Sequence, residues 1–504
     1  MVEGRHPPHP DLDPENWDEF GKAGHQALDA MIGYLRGVRD RKVWQEAPAD
    51  VAGRFETPLP WGSRDIADVL ADVESNIKPF VTGNTHPLFM GWVHGAGTPV
   101  GMLAEMLAAG LNANCGGRNH IGVTVEQQIT RWIAELFGFP KDSSGLFVTG
   151  TSMANFLGLL VARTAALGDG IKAQGLRALP QLTAYTSAEV HGCVVQSAEM
   201  SGIGSEFLRR IPVDAAGAIR LDCLENAIAA DRASGLLPFL VVGTAGTVNT
   251  GAFDDLTRLS ALCRREKLWF HVDGAFGAMC ALSASLRPLV AGLENADSVA
   301  FDFHKWVHVP YDAGFLIVRD PDIHRRTFSN PAAYLNRAEG GLAAGDVWPC
   351  DLGPDLSRGF RALKTWMTFQ TYGAARIGAC IEHNCRTAKY LESRINESGF
   401  FEMRAPVVLN IVCFGLKAPG NGALNGKIVI DLHRRGVAAP STTTLDGQTV
   451  IRAAIVNHRT TESDMDRFLE ELHISALNVL RAEMGGSEDQ PADRKDTTAS
   501  VRRA

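Results

Sequence analysis

Two short apolar runs constrain this chain most. Leu268-Trp269-Phe270-His271-Val272 ends in Asp273, and Ser298-Val299-Ala300-Phe301 ends in Asp302-Phe303-His304-Lys305-Trp306, about thirty residues on. Mostly apolar runs of strand length are what a parallel strand covered on both faces looks like. In an open sheet of such strands, ligands collect beyond the carboxyl ends of the strands. The pattern therefore brings a carboxylate, Asp273, and an amine, Lys305, to the same edge of one sheet.

Taken singly, Asp273 reads as a cap or turn residue and Lys305 as a solvated lysine. Together they are the pair that pyridoxal phosphate (PLP) chemistry needs. The amine forms a Schiff base, and the carboxylate keeps the pyridine nitrogen protonated so that the ring takes up electrons. The segment Ser298 to Trp306, followed by Val309-Pro310-Tyr311-Asp312, resembles the lysine segment of the group II PLP-dependent amino-acid decarboxylases. That group includes the aromatic amino acid, histidine and glutamate decarboxylases.

The resemblance extends from about residue 60 to about residue 480. It implies an α/β protein of PLP fold type I, like aspartate aminotransferase. A large, doubly wound mixed-sheet domain over 81–375 is expected, with a small C-terminal α+β domain over 376–483. A helical segment over 1–80 would pack on the partner subunit of a homodimer. Residues 484–504 are charged, poor in apolar residues and expected to be disordered.

Composition narrows the functional classes. A chain of 504 residues exceeds one ordinary core, and 45% hydrophobic with 21% charged residues describes a soluble globular protein. The formal charge of −8 argues against a nucleic-acid partner. No run of eighteen apolar residues occurs, so no membrane partner is expected. The N-terminus lacks the apolar core of a signal peptide. Nine cysteines without a Cys-x-x-Cys fit a cytoplasmic location. His304 and His308 form the only His-x-x-x-His pair, with Pro310 too close for a stable helix, and no metal is assigned.

Further motifs follow in order. Gly150-Thr151-Ser152 opens a helix, and a helix start with two hydroxyls is a phosphate site in physical terms. It is similar to the family's phosphate-binding Gly-Gly-Ser-x-Ala-Asn segment, which implies that role for Thr151 and Ser152. His191 follows the strand Leu182 to Thr186; a lone His there is ordinarily a cap, while the resemblance implies stacking on the pyridine ring. Gly243-Thr244-Ala245-Gly246-Thr247 resembles a family turn in which the Thr247 hydroxyl lies near the cofactor. Ala275 would pack beside the ring and His304 would support Lys305. His86-Pro87-Leu88-Phe89 is similar to a segment near the substrate, which implicates Phe89.

Arg452, on an apolar strand, needs a partner for its charge. The resemblance implies that it meets the substrate α-carboxylate. Asn119-His120-Ile121 stands where aromatic-type members have Ser-Pro-Ala, so His120 enters the substrate set. Phe89, Trp92 and Trp348 suit an aromatic side chain, whereas Arg118, Asn119 and His120 suit an acidic or polar one. The Gly- and Ala-rich loop from Asn336 to Asp351 has the composition of a lid, but the Tyr that protonates the product carbon in aromatic-type members is missing near Pro349. Tyr334, His120 or water would then donate the proton.

The expected reaction is decarboxylation of a small-molecule L-amino acid to an amine and CO2, with Lys305, His191 and Asp273 as catalytic residues and PLP as cofactor. Without the lid Tyr, oxidative conversion to an aldehyde is one alternative, recognised by peroxide. A catalytically silent PLP-binding regulator is the other, recognised by bound PLP without turnover.

Overall fold

A computed structural model describes residues 11–177, 179–329, 337–417 and 422–485. In chain order the strands are β1 (Phe89–Met90), β2 (Ser144–Val148), β3 (Leu182–Ser187), β4 (Leu208–Ile211), β5 (Leu237–Thr244) and β6 (Trp269–Asp273). They continue as β7 (Ser298–Asp302), β8 (Gly314–Val318), β9 (Phe401–Met403), β10 (Ile411–Leu416), β11 (Ala439–Leu445) and β12 (Gln448–Ala454). Among the described residues they form two sheets.

The larger sheet has the order β2-β8-β7-β6-β5-β3-β4. Strands β7, β6, β5, β3 and β4 run parallel, and β8 lies antiparallel between β2 and β7. This is the mixed α/β sheet expected. Every residue of β7 and β8 is buried, because helices cover both faces and leave the strands no polar side to alternate with. The apolar runs around Asp273 and Lys305 are therefore central strands, and their carboxyl ends lie side by side through the pairing of Asp273 with Ala300.

The smaller sheet has the order β1-β11-β12-β10-β9. Its β12 is the apolar strand on which Arg452 was expected, and β10 pairs with it. β11 escaped the sequence reading because Ala-Pro-Ser-Thr-Thr-Thr-Leu is polar and half exposed. β1 pairs with β11 through Phe89 and Ala439, so a segment assigned by sequence to the larger unit reaches into the smaller sheet.

Helix Trp17–Arg36 begins on Asn16, whose side chain accepts from the N–H groups of Asp18 and Glu19. The long helical stretch Arg361–Glu397 bends at Gly373, where φ of +72° requires glycine, and joins the two sheets. A buried ion pair braces the base of the larger sheet. Arg358 donates to both Glu126 carboxylate oxygens, at 2.7 and 3.1 Å, and to the Cys115 and Phe147 carbonyls. No helix among the described residues is long and apolar enough to cross a membrane.

Candidate active site

A cavity of about 470 Å³ opens at the carboxyl ends of the parallel strands. Its walls include Thr151 and Ser152 at one helix start, His191 and Cys193 at another, and Asp273 and Ala275 after β6. His304, Lys305 and Tyr311 follow β7, and Trp92, Val93 and His94 close the cavity from the loop after β1. Residues more than two hundred positions apart meet here, most of them delivered by strands that end at the same edge.

Asp273 ends β6 with its side chain buried. Burial pushes its carboxyl above the ordinary range, and the nearby Lys305 and His191 oppose that rise. Asn155 donates to its Oδ2 at 3.0 Å and the Ala275 N–H to its Oδ1 at 3.2 Å. Behind Asn155 lies a one-way series of hydrogen bonds. Trp269 Nε1–H donates to Ser298 Oγ at 2.8 Å, and Ser298 Oγ lies 2.7 Å from His271 Nδ1. His271 Nε2 lies 2.8 Å from Asn155 Oδ1. Since Asn155 uses its amide N–H on Asp273, its oxygen must accept, so His271 carries its proton on Nε2 and takes the Ser298 proton on Nδ1. Burial holds His271 neutral, with its pKa down to about 3.

Lys305 follows β7 and its amine lies 3.1 Å from Asp302 Oδ2. The same buried carboxylate accepts the Thr151 N–H at 2.7 Å and faces His304 Nε2 at 3.6 Å. The His304 ring is oriented by the Ala313 N–H, which donates to Nδ1 at 3.1 Å, and burial lowers its pKa. His191 is both cap and wall residue. Its Nδ1 accepts the Cys193 N–H at 3.2 Å while the ring borders the cavity.

The residues present suit PLP. The helix starting at Thr151 has no cap from the residue before it, its Thr151 N–H lies on Asp302, and the buried Thr151 and Thr244 hydroxyls have no hydrogen-bond partner among the described residues. Idle hydroxyls at a helix start are what a phosphate takes up. A buried carboxylate with a raised pKa, held by two donors, suits a protonated ring nitrogen. Among the described residues no cluster of three potential metal ligands occurs.

Other residues singled out from the sequence lie elsewhere. The Thr247 hydroxyl is taken up in its own turn by the Ala252 N–H and Thr250, each at 3.1 Å, and Thr244, Gly246 and Val248 border the cavity instead. His120 caps helix Ile121–Phe137 through the Gly122 N–H and contacts the Asn114 carbonyl, so it is not on the wall. Phe89 is buried one layer back, stacked on His94 with ring centroids 5.7 Å apart. Trp348 is buried beneath Arg118, away from the cavity. Tyr334 lies outside the described residues.

Arg452 is also one layer back. On β12, between β10 and β11, its guanidinium reaches the carbonyls of Val248, Asn249 and Trp92 and the Ser441 hydroxyl. Among the described residues it has no carboxylate partner, and burial lowers its pKa to about 10. Val248 and Trp92 both line the cavity. Asn155, His271, Asp302, His94 and Tyr311 were not assigned roles from the sequence. For Asn155, its place four residues after Thr151 on a helix was the available signal; for the others the contacts are tertiary.

A family model described as the pyridoxal-dependent decarboxylase conserved domain matches residues 48–417. The chain is 31% identical to an aromatic-L-amino-acid decarboxylase of Bacillus atrophaeus, covering 92% of this chain and 96% of that protein. It is 30% identical to the aromatic-L-amino-acid decarboxylase of Sus scrofa, covering 94% and 99%, and 29% identical to the histidine decarboxylase of Rattus norvegicus, covering 93% and 73%. The solved structure of Oryza sativa TDC with PLP and tryptamine superimposes with a TM-score of 0.85 at 23% identity, covering 93% of this chain and 99% of that one. That likeness shows the shared fold.

Proposed function

The chain belongs to the pyridoxal-dependent decarboxylases, a family of PLP-dependent carboxy-lyases, and from that premise we propose that it converts an aromatic L-amino acid to its amine and CO2. The observation that carries this reading is the meeting of the Lys305 amine, the buried Asp273 carboxylate and the idle Thr151 hydroxyl at a helix start in one cavity. When bound, PLP supplies an aldehyde for the amine and a protonated ring that accepts the electron pair left by the departing carboxylate.

The chain's own residues do the rest. Thr151 and Ser152 would hold the phosphate, and Asp273, held by Asn155 and Ala275, would hold the ring nitrogen. His191 and Ala275, both on the cavity wall, would lie against the ring. Asp302 holds the Lys305 amine until it is engaged, and His304 keeps Asp302 in place. Arg452, one layer back, is a buried cation without an anion among the described residues. The substrate α-carboxylate would complete that charge by exchanging for the Val248 and Trp92 carbonyls at the cavity wall. Holding that carboxylate across the ring plane selects the bond that breaks. The relatives' names and the aromatic wall support an aromatic side chain. His94 stacks on Trp92 at 5.5 Å, and both border the cavity.

A homodimer is part of the proposal. Helix Pro99–Leu111 leaves Met106, Leu107 and Leu111 about half exposed or more, and Trp61, Ile66, Val69 and Ile77 add apolar surface from the N-terminal segment. Such a surface suits a second copy, with residues 1–80 as the clasping segment and 81–375 and 376–483 as the larger and smaller units. The cytoplasm is the proposed location, in keeping with nine cysteines that are all unpaired.

The test is incubation of purified protein and PLP with each common L-amino acid in air, following CO2, amine, aldehyde and peroxide, with Lys305→Ala as control. Amine matching CO2, made from an aromatic amino acid and abolished in the control, is expected. PLP uptake without product from any amino acid refutes the reading.

A further inference from the structure

Loss of CO2 leaves an electron pair on the substrate α-carbon, and an amine forms only when a proton reaches that carbon. Few described residues on the cavity wall can give one. The Cys193 thiol is pushed up to about 12 by burial and bonded by Asn155. The Lys305 amine lies on Asp302, and His304 is held between Ala313 and Asp302. His191 has one nitrogen on the Cys193 N–H, and its ring is the one expected to lie against the cofactor.

Tyr311 is placed differently. Its ring lies against His304, with centroids 4.3 Å apart, and edge-on to His94 at 6.1 Å. The Gly95 backbone N–H faces the phenolic oxygen and favours its ionised form. That leaves the hydroxyl proton free to point into the cavity, with no acceptor for it among the described residues. The imidazole of His94, clustered with Phe89 and Trp92, has no hydrogen-bond partner among the described residues and packs against the Tyr311 ring.

We propose that Tyr311 is the catalytic acid that protonates the substrate α-carbon after CO2 departs. The inference rests on the decarboxylase reading. The bond from the α-carbon to the carboxylate breaks, CO2 leaves, and the electron pair stays on carbon. The Tyr311 O–H bond breaks and a C–H bond forms. The phenolate, facing the Gly95 N–H, then recovers a proton from water. Amino acid plus one proton thus gives amine plus CO2. Half of Tyr311 is exposed, but the protein packed round its phenolic end, with Asp302 adding to it, raises its pKa above that of free tyrosine, so the proton is present at neutral pH.

Tyr311→Phe keeps the ring and removes only the hydroxyl. PLP uptake, read by visible absorbance, is expected to stay within about twofold of wild type, since the ring contacts remain. Amine formed per CO2 is expected to fall about tenfold or more, within the range by which positioned acids contribute. The balance appears as aldehyde, ammonia and peroxide, with dioxygen from air as oxidant and water as co-reactant.

Should Tyr311→Phe not fold, fluorotyrosine at position 311 carries the test. Fluorine NMR of the PLP-free protein is expected to show this phenol ionising above the free amino acid, and the alkaline limb of amine formation is expected to move to lower pH. Wild type that releases CO2 while Tyr311→Phe makes amine at the same ratio and rate overturns the proton-donor proposal alone. Fluorotyrosine that ionises like the free amino acid, or leaves the limb unmoved, does the same. Wild type that releases no CO2 from any amino acid overturns the decarboxylase reading and this proposal with it.

Discussion

Asn155→Ala tests how the site holds its buried carboxylate. Asn155 donates to Asp273 Oδ2 at 3.0 Å and accepts from His271 at 2.8 Å. Truncation removes one of the two donors that support the ionised carboxylate, and burial already favours its neutral form. A neutral Asp273 no longer offers a charge to a protonated ring nitrogen. A hydrogen bond to a charged group contributes about 1.5–3 kcal/mol, and about 1.4 kcal/mol is a factor of ten in binding. PLP affinity should therefore fall about 10- to 100-fold, read by absorbance titration of PLP-free protein. The same change orphans the His271 N–H, at a cost of about 1–3 kcal/mol in folding stability, so binding is measured well below the thermal transition. Ser298→Ala, two bonds further from Asp273, should weaken PLP binding by less. An Asn155→Ala protein that binds PLP within twofold of wild type would refute the argument that this series of hydrogen bonds maintains the charge.

Two further outcomes are expected. Arg452→Gln should weaken binding of the amino acid about 10- to 100-fold through loss of a charge-assisted contact. The product amine, which lacks the carboxylate, should bind as before; an equal loss for both ligands, measured by displacement titration, would sink the carboxylate role. Asp254, buried beneath the Thr244 turn where it accepts the Ile219 and Thr244 N–H groups, has its pKa raised to about 6 from 3.8 by burial. The folded state then binds the proton more tightly than the unfolded state. This group's contribution to stability accordingly rises as pH falls from about 6 to 4, by about 3 kcal/mol at 1.36 kcal/mol per pH unit. Urea unfolding of Asp254→Asn across that window should show a weaker pH dependence, and an unchanged slope would exclude Asp254 as its source.

The chain's local pattern determined the sheet and the direction of its strands. Apolar runs of strand length, closed by Asp273 and by Asp302 to Lys305, require burial on both faces and so a central parallel place in an α/β sheet. Parallel neighbours end at the same edge, so an amine and a carboxylate at successive strand ends meet whatever the loops do. Thr151, Ser152, His191, Ala275 and His304 were legible for the same reason, each being one or a few residues past a strand. β11 was not, because its polar sequence is strand only through its pairing with β1 and β12.

What only tertiary structure decided is where each charge and ring finds its partner. Arg452 reads as a strand residue facing a core, but three loop carbonyls occupy it. Asp302 reads as a strand end, yet it joins Thr151 to Lys305. His120 reads as a pocket residue and is a helix cap. His271 joins a strand to Asn155 on a helix more than a hundred residues earlier, and Tyr311 meets His94 across a still larger separation. Periodicity reports only which face of an element is buried. Which side chains meet across that buried space depends on loops and crossings set by the whole chain, and in this site those meetings hold the charges and place the protons.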